Sequence, residues 1–302
     1  MISIIGAGRV GSSIAFLCVS SGLDDVVLVD KTKDDAIGES LDLANAIPST
    51  SKFSIDATDD FSKISGSDIV VVTASIGVYM QSRTENLSQQ VSMIKDIGQK
   101  IKQYCPNAIV LIISNPLDVL TYFFQKQTGF SRFKVIGVAS SLDSSRFRFL
   151  ISKKFSVSQS DVSNAIVLGE HDSSMVPIFS QVHVKEKSLL SILSNEEKNT
   201  MIKDVREYWK QLRKYKSRSQ YGIAKNAYDI LSTIKNSNTL YVPASVVLDG
   251  EYQTYDVAMG VPVKINQNGV SEISEIKLNP EESSMLNLSS ERIKSLIKMI
   301  EN

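Results

Sequence analysis

Near its amino end the chain runs from a short apolar stretch, Met1 to Ile5, straight into Gly6-Ala7-Gly8-Arg9-Val10-Gly11. The apolar stretch reads as a buried strand, and the residues from Val10 to about Ser21 read as a helix with Ile14, Phe16, Leu17 and Cys18 as its apolar positions. Between a strand and a helix, the GxGxxG spacing has a physical meaning. Gly6 permits the tight turn, Gly8 lets the backbone approach a pyrophosphate, and Gly11 allows the helix to pack closely on the strand. The helix start offers amide donors and a positive dipole end to phosphate. A second β-branched run, Val26–Val29, stops at Asp30, about 20 residues on, where a carboxylate can accept from both ribose hydroxyls of a dinucleotide. The same carboxylate repels a 2′-phosphate, so NAD is expected over NADP, with Lys31 and Lys33 keeping NADP as the second possibility.

The alternation continues. A helix is expected around Ile37–Ala46, a strand at Ile69–Thr73, a helix around Leu87–Tyr104, and strands at Ile109–Ile113 and Val135–Val138. Continuous apolar strands alternating with helices imply an α/β, doubly wound parallel sheet of the Rossmann type, covered on both faces. Beyond about residue 140 the pattern changes to long helical stretches (Ser144–Phe155, Glu196–Tyr215, Ile223–Ile234), then strands from Tyr241 to Ile276. Asp249-Gly250 and Asn268-Gly269 mark antiparallel hairpins there. An amphipathic helix closes the chain at Ser290–Asn302. With 302 residues, two domains are expected: an NAD-binding Rossmann domain over 1–140 and an α+β substrate domain over 141–302. The ligand cleft is expected between them.

Lysine plus arginine and aspartate plus glutamate both total 33, and that balance argues against a nucleic-acid or membrane-surface partner, either of which favours a basic excess. Neither Cys18 nor Cys105 belongs to a CxxC pair or a Cys/His cluster, so no zinc site or disulfide framework is expected and a reducing cytoplasmic location is. The glycine turn begins too early to leave room for a signal peptide ahead of it.

Four further segments carry chemistry: Gln81-Ser82-Arg83, Ser114-Asn115-Pro116, Leu142-Asp143-Ser144-Ser145-Arg146 and Gly169-Glu170-His171. Hydride transfer at a 2-hydroxy acid needs a base for the hydroxyl proton, which suits a histidine titrating near neutrality. It also needs a carboxylate to orient that imidazole, an arginine to grip the substrate carboxylate, and a second arginine to polarise the carbonyl. At these segments, and at Leu41-Asp42-Leu43 and Gly260-Val261-Pro262-Val263, the chain resembles the lactate/malate dehydrogenase family over essentially its whole length. It looks most like the archaeal malate dehydrogenase branch. The resemblance implies His171 as acid/base, Asp143 as its partner, Arg146 as the carboxylate clamp and Arg83 as the loop arginine. It further implies Asn115 against substrate and cofactor, Ser219 lining the pocket, and Gly6, Gly8, Arg9, Val10, Gly11, Asp30, Thr73, Ala74 and Gln90 around the dinucleotide. Family members pair their subunits, so a homodimer or homotetramer is expected.

The chain also departs from that pattern. The mobile-loop stretch Ser75–Ser82 is one residue short, and the substrate-selecting position, at Gly77 or Val78, carries neither the arginine of malate enzymes nor the glutamine of lactate enzymes. Arg218, beside Ser219, is either a relocated cation for a second carboxylate or a solvated surface residue, and Ser219 is either a pocket residue or a helix cap. Asp172 follows His171 where the family has glycine; it either raises the imidazole pKa or faces solvent. Malate/oxaloacetate is the leading substrate pair, with lactate or another 2-hydroxy acid as alternative, and a dinucleotide-binding protein with little turnover as the alternative of another class.

Overall fold

The computed structural model describes residues 1–77 and 86–301. Strands β1 (Ile2–Ile5), β2 (Val26–Val29), β3 (Ile55–Thr58), β4 (Ile69–Val72), β5 (Ile109–Ile112) and β6 (Val135–Gly137) are all parallel, in the spatial order β3-β2-β1-β4-β5-β6. All but β3 are buried at every position. Burial on both faces is why their sequences are continuously apolar instead of alternating. Helices α1 (Arg9–Ser20), α2 (Lys33–Ala44), α3 (Leu87–Tyr104), α4 (Leu117–Thr128) and α5 (Ser140–Phe155) intervene. Chain direction across the sheet reverses between β1 and β4, which opens a crevice at the carboxyl ends of the strands.

Beyond α5 the chain forms short strands β7 (Val162–Ser163), β8 (Ile166–Leu168), β9 (Val176–Ile178), β10 (His183–Val184) and β11 (Lys187–Ser188), then α6 (Asn195–Arg213) and α7 (Tyr221–Lys235). A second core lies here, with Phe147 and Phe179 edge to face at 5.0 Å and Met201 and Val205 of α6 packed beside them. The antiparallel strands β12 (Leu240–Asp249), β13 (Tyr255–Asn266) and β14 (Gly269–Ile273) turn where Asp249-Gly250 and Asn268-Gly269 signalled. They extend the Rossmann sheet instead of forming one of their own: Ser245 of β12 pairs with Gly137 of β6, making one sheet of nine strands. Helix α8 (Pro280–Glu301) completes the described chain.

Several elements differ from the sequence reading, which placed no strands between Phe155 and Glu196, where β7 to β11 lie. Helix α4 was not expected, because Leu117–Phe124 is buried on every side, including Asp118 and Thr121, and so shows no amphipathic period. Strand β3 was also missed; it is a half-buried edge strand with too few apolar residues to signal itself. Helix α8 starts at Pro280, not near Ser290. Its first turn is polar because Glu282 is itself buried, accepting from the Ser180 amide at 2.9 Å and the Ser180 hydroxyl at 2.6 Å.

One backbone contact holds the carboxyl-terminal strands to the His171 segment. Gly169 and Gly260 exchange hydrogen bonds of 2.9 and 3.1 Å. A Cβ on Gly260 would stand 2.0 Å from the Ser140 hydroxyl and 3.0 Å from the Gly169 carbonyl. Gly260→Ala is therefore expected to destabilise the fold by about 1–3 kcal/mol through overpacking. Urea unfolding checks this, and an unchanged midpoint would show that the seam has slack.

Candidate active site

The glycine turn is tied to its neighbours from two directions. Thr73, just past β4, donates its hydroxyl to the carbonyls of Gly6 at 2.9 Å and Ile5 at 3.2 Å. From the end of β2, the Asp30 carboxylate accepts from the Ala7 amide at 2.8 Å and the Thr32 amide at 3.1 Å. A Cβ at Gly11 would lie 1.9 Å from the Gly6 carbonyl oxygen, while one at Gly8 would meet nothing within 4 Å. Thus Gly11 is needed for helix packing, and Gly8 borders open space over the start of α1. That is the cradle a pyrophosphate requires, so these residues fit a dinucleotide.

Beside the turn, Ala7, Gly8, Arg9, Asp30, Asp34, Asp35, Gly38 and Glu39 line a cavity of about 490 Å³. Four of these residues are acidic and one is basic. Lys33 pairs instead with Asp59 at 3.7 Å, and neither Lys31 nor Lys33 lines this cavity.

A second cleft, of about 240 Å³, opens at the carboxyl ends of β1, β4, β5 and β6. Val10, Thr73, Ala74, Ser114, Asn115, Val138 and Ala139 form its floor. Arg146, His171, Trp209, Leu212, Arg213, Arg218 and Ser219 line it as well. Most of the residues singled out in the sequence therefore meet in one place, although they span more than half the chain. Gln90 is buried on α3 and lines neither cavity. Arg83 and Val78 lie outside the described residues.

At the cleft's inner wall sits one bridging carboxylate. Asp143, in the first turn of α5, holds His171 Nδ1 with Oδ2 and receives Arg146 Nη1 on Oδ1 at 2.9 Å. All three side chains are buried, with Asp143 at 1% exposure. The spacing of Asp143 and Arg146 puts them one helical turn apart on the same face of α5. The Arg146 guanidinium also lies over the Tyr208 ring, 5.2 Å from its centre.

His171 is held from its main chain as well. Its amide donates to Asp118 Oδ2 at 2.7 Å, and the Ser245 hydroxyl donates to Asp118 Oδ1 at 2.7 Å. Burial pushes the Asp118 carboxyl up to about 7, against these two hydrogen bonds. Burial likewise raises Glu170, which is only partly offset by the Ser174 hydroxyl at 2.5 Å and by Arg292 at 3.0 Å. Asp172 does not line the cleft; it lines a neighbouring cavity with Ser173, Lys203 and Arg206.

Arg218 lines the cleft although its side chain is exposed, and the half-buried Ser219 lines it too. The residue capping α7 is Gln220, so Ser219 is not its cap. Arg9 donates to the Ser217 hydroxyl at 2.6 Å and Gln220 to Ser13 at 2.9 Å, so this loop leans on the start of α1. Sequence reasoning missed Trp209, Leu212 and Arg213, although their spacing along α6 places them on one helical face. The Arg213 guanidinium lies 4.8 Å from the Trp209 ring centre. Asp118 and Ser245 were missed as well; nothing local marks a buried carboxylate whose partners are 53 and 127 residues away.

Residues 1–137 match the lactate/malate dehydrogenase NAD binding domain, and residues 140–302 the lactate/malate dehydrogenase alpha/beta C-terminal domain. A malate dehydrogenase of Sorangium cellulosum is 34% identical, covering 99% of this chain and 97% of the relative. The solved malate dehydrogenase of Aeropyrum pernix superposes with a TM-score of 0.93 at 34% identity, over 99% of this chain and 98% of that one. The lactate dehydrogenase of Cryptosporidium parvum, solved with lactic acid and nicotinamide adenine dinucleotide, gives 0.95 at 34% identity, over 100% and 98%. This chain, a dehydrogenase with an NAD-binding domain, belongs to the lactate/malate dehydrogenase family.

Proposed function

We propose that the protein is an NAD-dependent malate dehydrogenase, interconverting malate and oxaloacetate. The observation that carries the dehydrogenase chemistry is the buried His171–Asp143–Arg146 array at a cleft floored by the dinucleotide-binding strands. Residues 1–140 hold the cofactor and 141–302 supply acid/base and substrate contacts. When bound, the nicotinamide supplies the site that accepts or donates hydride.

Asp143 holds Nδ1 of His171, so proton exchange with the substrate oxygen falls to Nε2. As malate is oxidised the imidazole takes the hydroxyl proton, and the charge it gains is offset by Asp143. Arg146, anchored by that same carboxylate, meets the substrate carboxylate with its planar fork. Asn115 borders substrate and cofactor, and polarising the carbonyl is assigned to Arg83 on the family resemblance alone.

Two observations support the finer readings. The cavity next to the glycine turn is acidic, with Asp30, Asp34, Asp35 and Glu39 facing a single arginine, which suits the hydroxyls of NAD better than the 2′-phosphate of NADP. Arg213 and Arg218, both exposed, line the cleft together with Arg146. A second substrate carboxylate that loses water on binding needs a cation, so a dicarboxylic acid fits this lining better than a monocarboxylic one. Lactate-type chemistry remains the second reading, because the Cryptosporidium parvum lactate dehydrogenase superposes as well. Phe16, Leu17, Leu43, Tyr221 and Ala224 line an apolar groove on the outer face of α1, α2 and α7, which suits pairing of two copies into a homodimer or homotetramer in the cytoplasm.

Replacing His171 by Asn is expected to lower turnover by about 10²–10⁴-fold while NADH still binds, because proton transfer is lost and the cofactor cradle is untouched. Steady-state rates together with NADH fluorescence titration check this; a fully active variant would sink the mechanism.

Asp30→Ser is expected to raise kcat/KM for NADPH relative to NADH by about tenfold, removing the carboxylate nearest the ribose while three acidic neighbours remain. An unchanged preference would mean that Asp30 serves only the Ala7 and Thr32 amides.

Arg218→Ala is expected to lower kcat/KM for oxaloacetate by about 10–1,000-fold more than for pyruvate, the loss of one charged contact. Equal losses would remove Arg218 from substrate selection, and an unmodified enzyme that prefers pyruvate would replace the malate reading with the lactate one.

A further inference from the structure

Asp118 is a buried ionisable group that the chemistry above leaves unused. It is 3% exposed, in the first turn of α4, and Ser245, its partner from β12, is completely buried. Among the described residues neither lysine nor arginine pairs with it; its two oxygens are taken by the His171 amide and the Ser245 hydroxyl, each at 2.7 Å. A carboxylate suits that spot because two donors converge on it from opposite sides, and an amide side chain offers one acceptor oxygen only. The strands behind it are tightly fitted: a Cβ on Gly137 would stand 2.8 Å from the Ser245 Cβ and 2.7 Å from the Thr121 hydroxyl. Asp118 therefore links α4 and β12 to the main chain of the acid/base residue, with little room to move.

Charge adds a second effect. The groups around it are Asp143 and Arg146 from α5 and Glu170 and His171 from the segment before β9, with Arg292 of α8 paired to Glu170; β12 contributes the uncharged Ser245. Glu170 and Asp143 repel a negative Asp118, which reinforces the effect of burial. Conversely, an ionised Asp118 favours a positive charge nearby, and the imidazole of His171 is the group that gains one during the reaction.

We propose that Asp118 is a positioning residue for the dehydrogenase reaction, fixing the main chain of His171 and helping to hold the proton on its imidazole. Resting on the reading of His171 as acid/base, the effect joins geometry to electrostatics. Ser245 tunes it: its hydroxyl stabilises the ionised carboxylate, so removing it leaves Asp118 less charged and the imidazolium less favoured.

The test is the pH profile of keto-acid reduction by Asp118→Asn and Ser245→Ala, in the full-length protein with NADH. Reduction needs the protonated histidine, so kcat/KM falls as pH rises through its pKa. Asp118→Asn is expected to lower kcat by about tenfold or more, to leave the NADH KM within about twofold, and to move that fall to lower pH by about half a unit or more. Ser245→Ala is expected to move it in the same direction by less. Losses of kcat that follow the melting temperature with the profile unmoved would overturn the proposal, and so would unchanged kinetics. Should Asp118→Asn not fold, Ser245→Ala decides by the same criteria. His171→Asn measured alongside separates the two readings: if that variant keeps full activity, the assignment of His171 fails and not the link through Asp118.

Discussion

The site depends on one buried carboxylate with two partners. Asp143 holds the His171 imidazole on one oxygen and the Arg146 guanidinium on the other, and almost no water reaches any of the three. A buried charge with a missing partner is costly, so each member is stable only while the other two are in place. Asp143 also sits in the first turn of α5, where the amide dipoles favour a negative group. A single anchor thus orients an imidazole and a guanidinium that line the same cleft.

That anchor is in place only because two halves of the chain share a sheet. Asp143 and Arg146 follow β6, the last parallel strand, whereas His171 comes after β8. The Gly169–Gly260 pairing and the contact of Ser245 with Gly137 tie the His171 segment and the β12–β13 hairpin to β6. Small residues recur along this seam because backbones and helix starts approach one another where a side chain would collide. The extension of the Rossmann sheet by antiparallel strands is thus what brings His171 to Asp143.

The part of the cleft lining that comes from the end of α6 and the α6–α7 connection is built differently. Residues 214–220 join α6 to α7 and are braced against α1 by Arg9 and Gln220. Arg9 belongs to the glycine motif and also lines the acidic cavity. The glycine turn and the segment bearing Arg218 therefore share a contact through Arg9 and Ser217.

Much of this was legible in the sequence because it is written in local signals. The glycine spacing, the strand ending at Asp30, the apolar parallel strands and the hairpin turns each depend on neighbours in the chain, where steric and periodic rules act. The motifs at Asn115, Asp143, Arg146 and His171 carried the family resemblance, and with it the chemistry. What the sequence could not show depends on distance through space. Leu117–Phe124 of helix α4 is buried at every position, so no period over that stretch reveals it, and the polar start of α8 is explained only by Glu282 accepting from Ser180. Asp118, Trp209 and Arg213 are ordinary residues until tertiary packing sets them beside His171 or along the cleft. The sequence by itself determined the dinucleotide cradle and the kind of chemistry, because backbone geometry and side-chain type suffice for both. Only the tertiary structure decided which charges stand buried without a counterion and which line the cleft, because burial and electrostatics are properties of the assembled neighbourhood and not of any one segment.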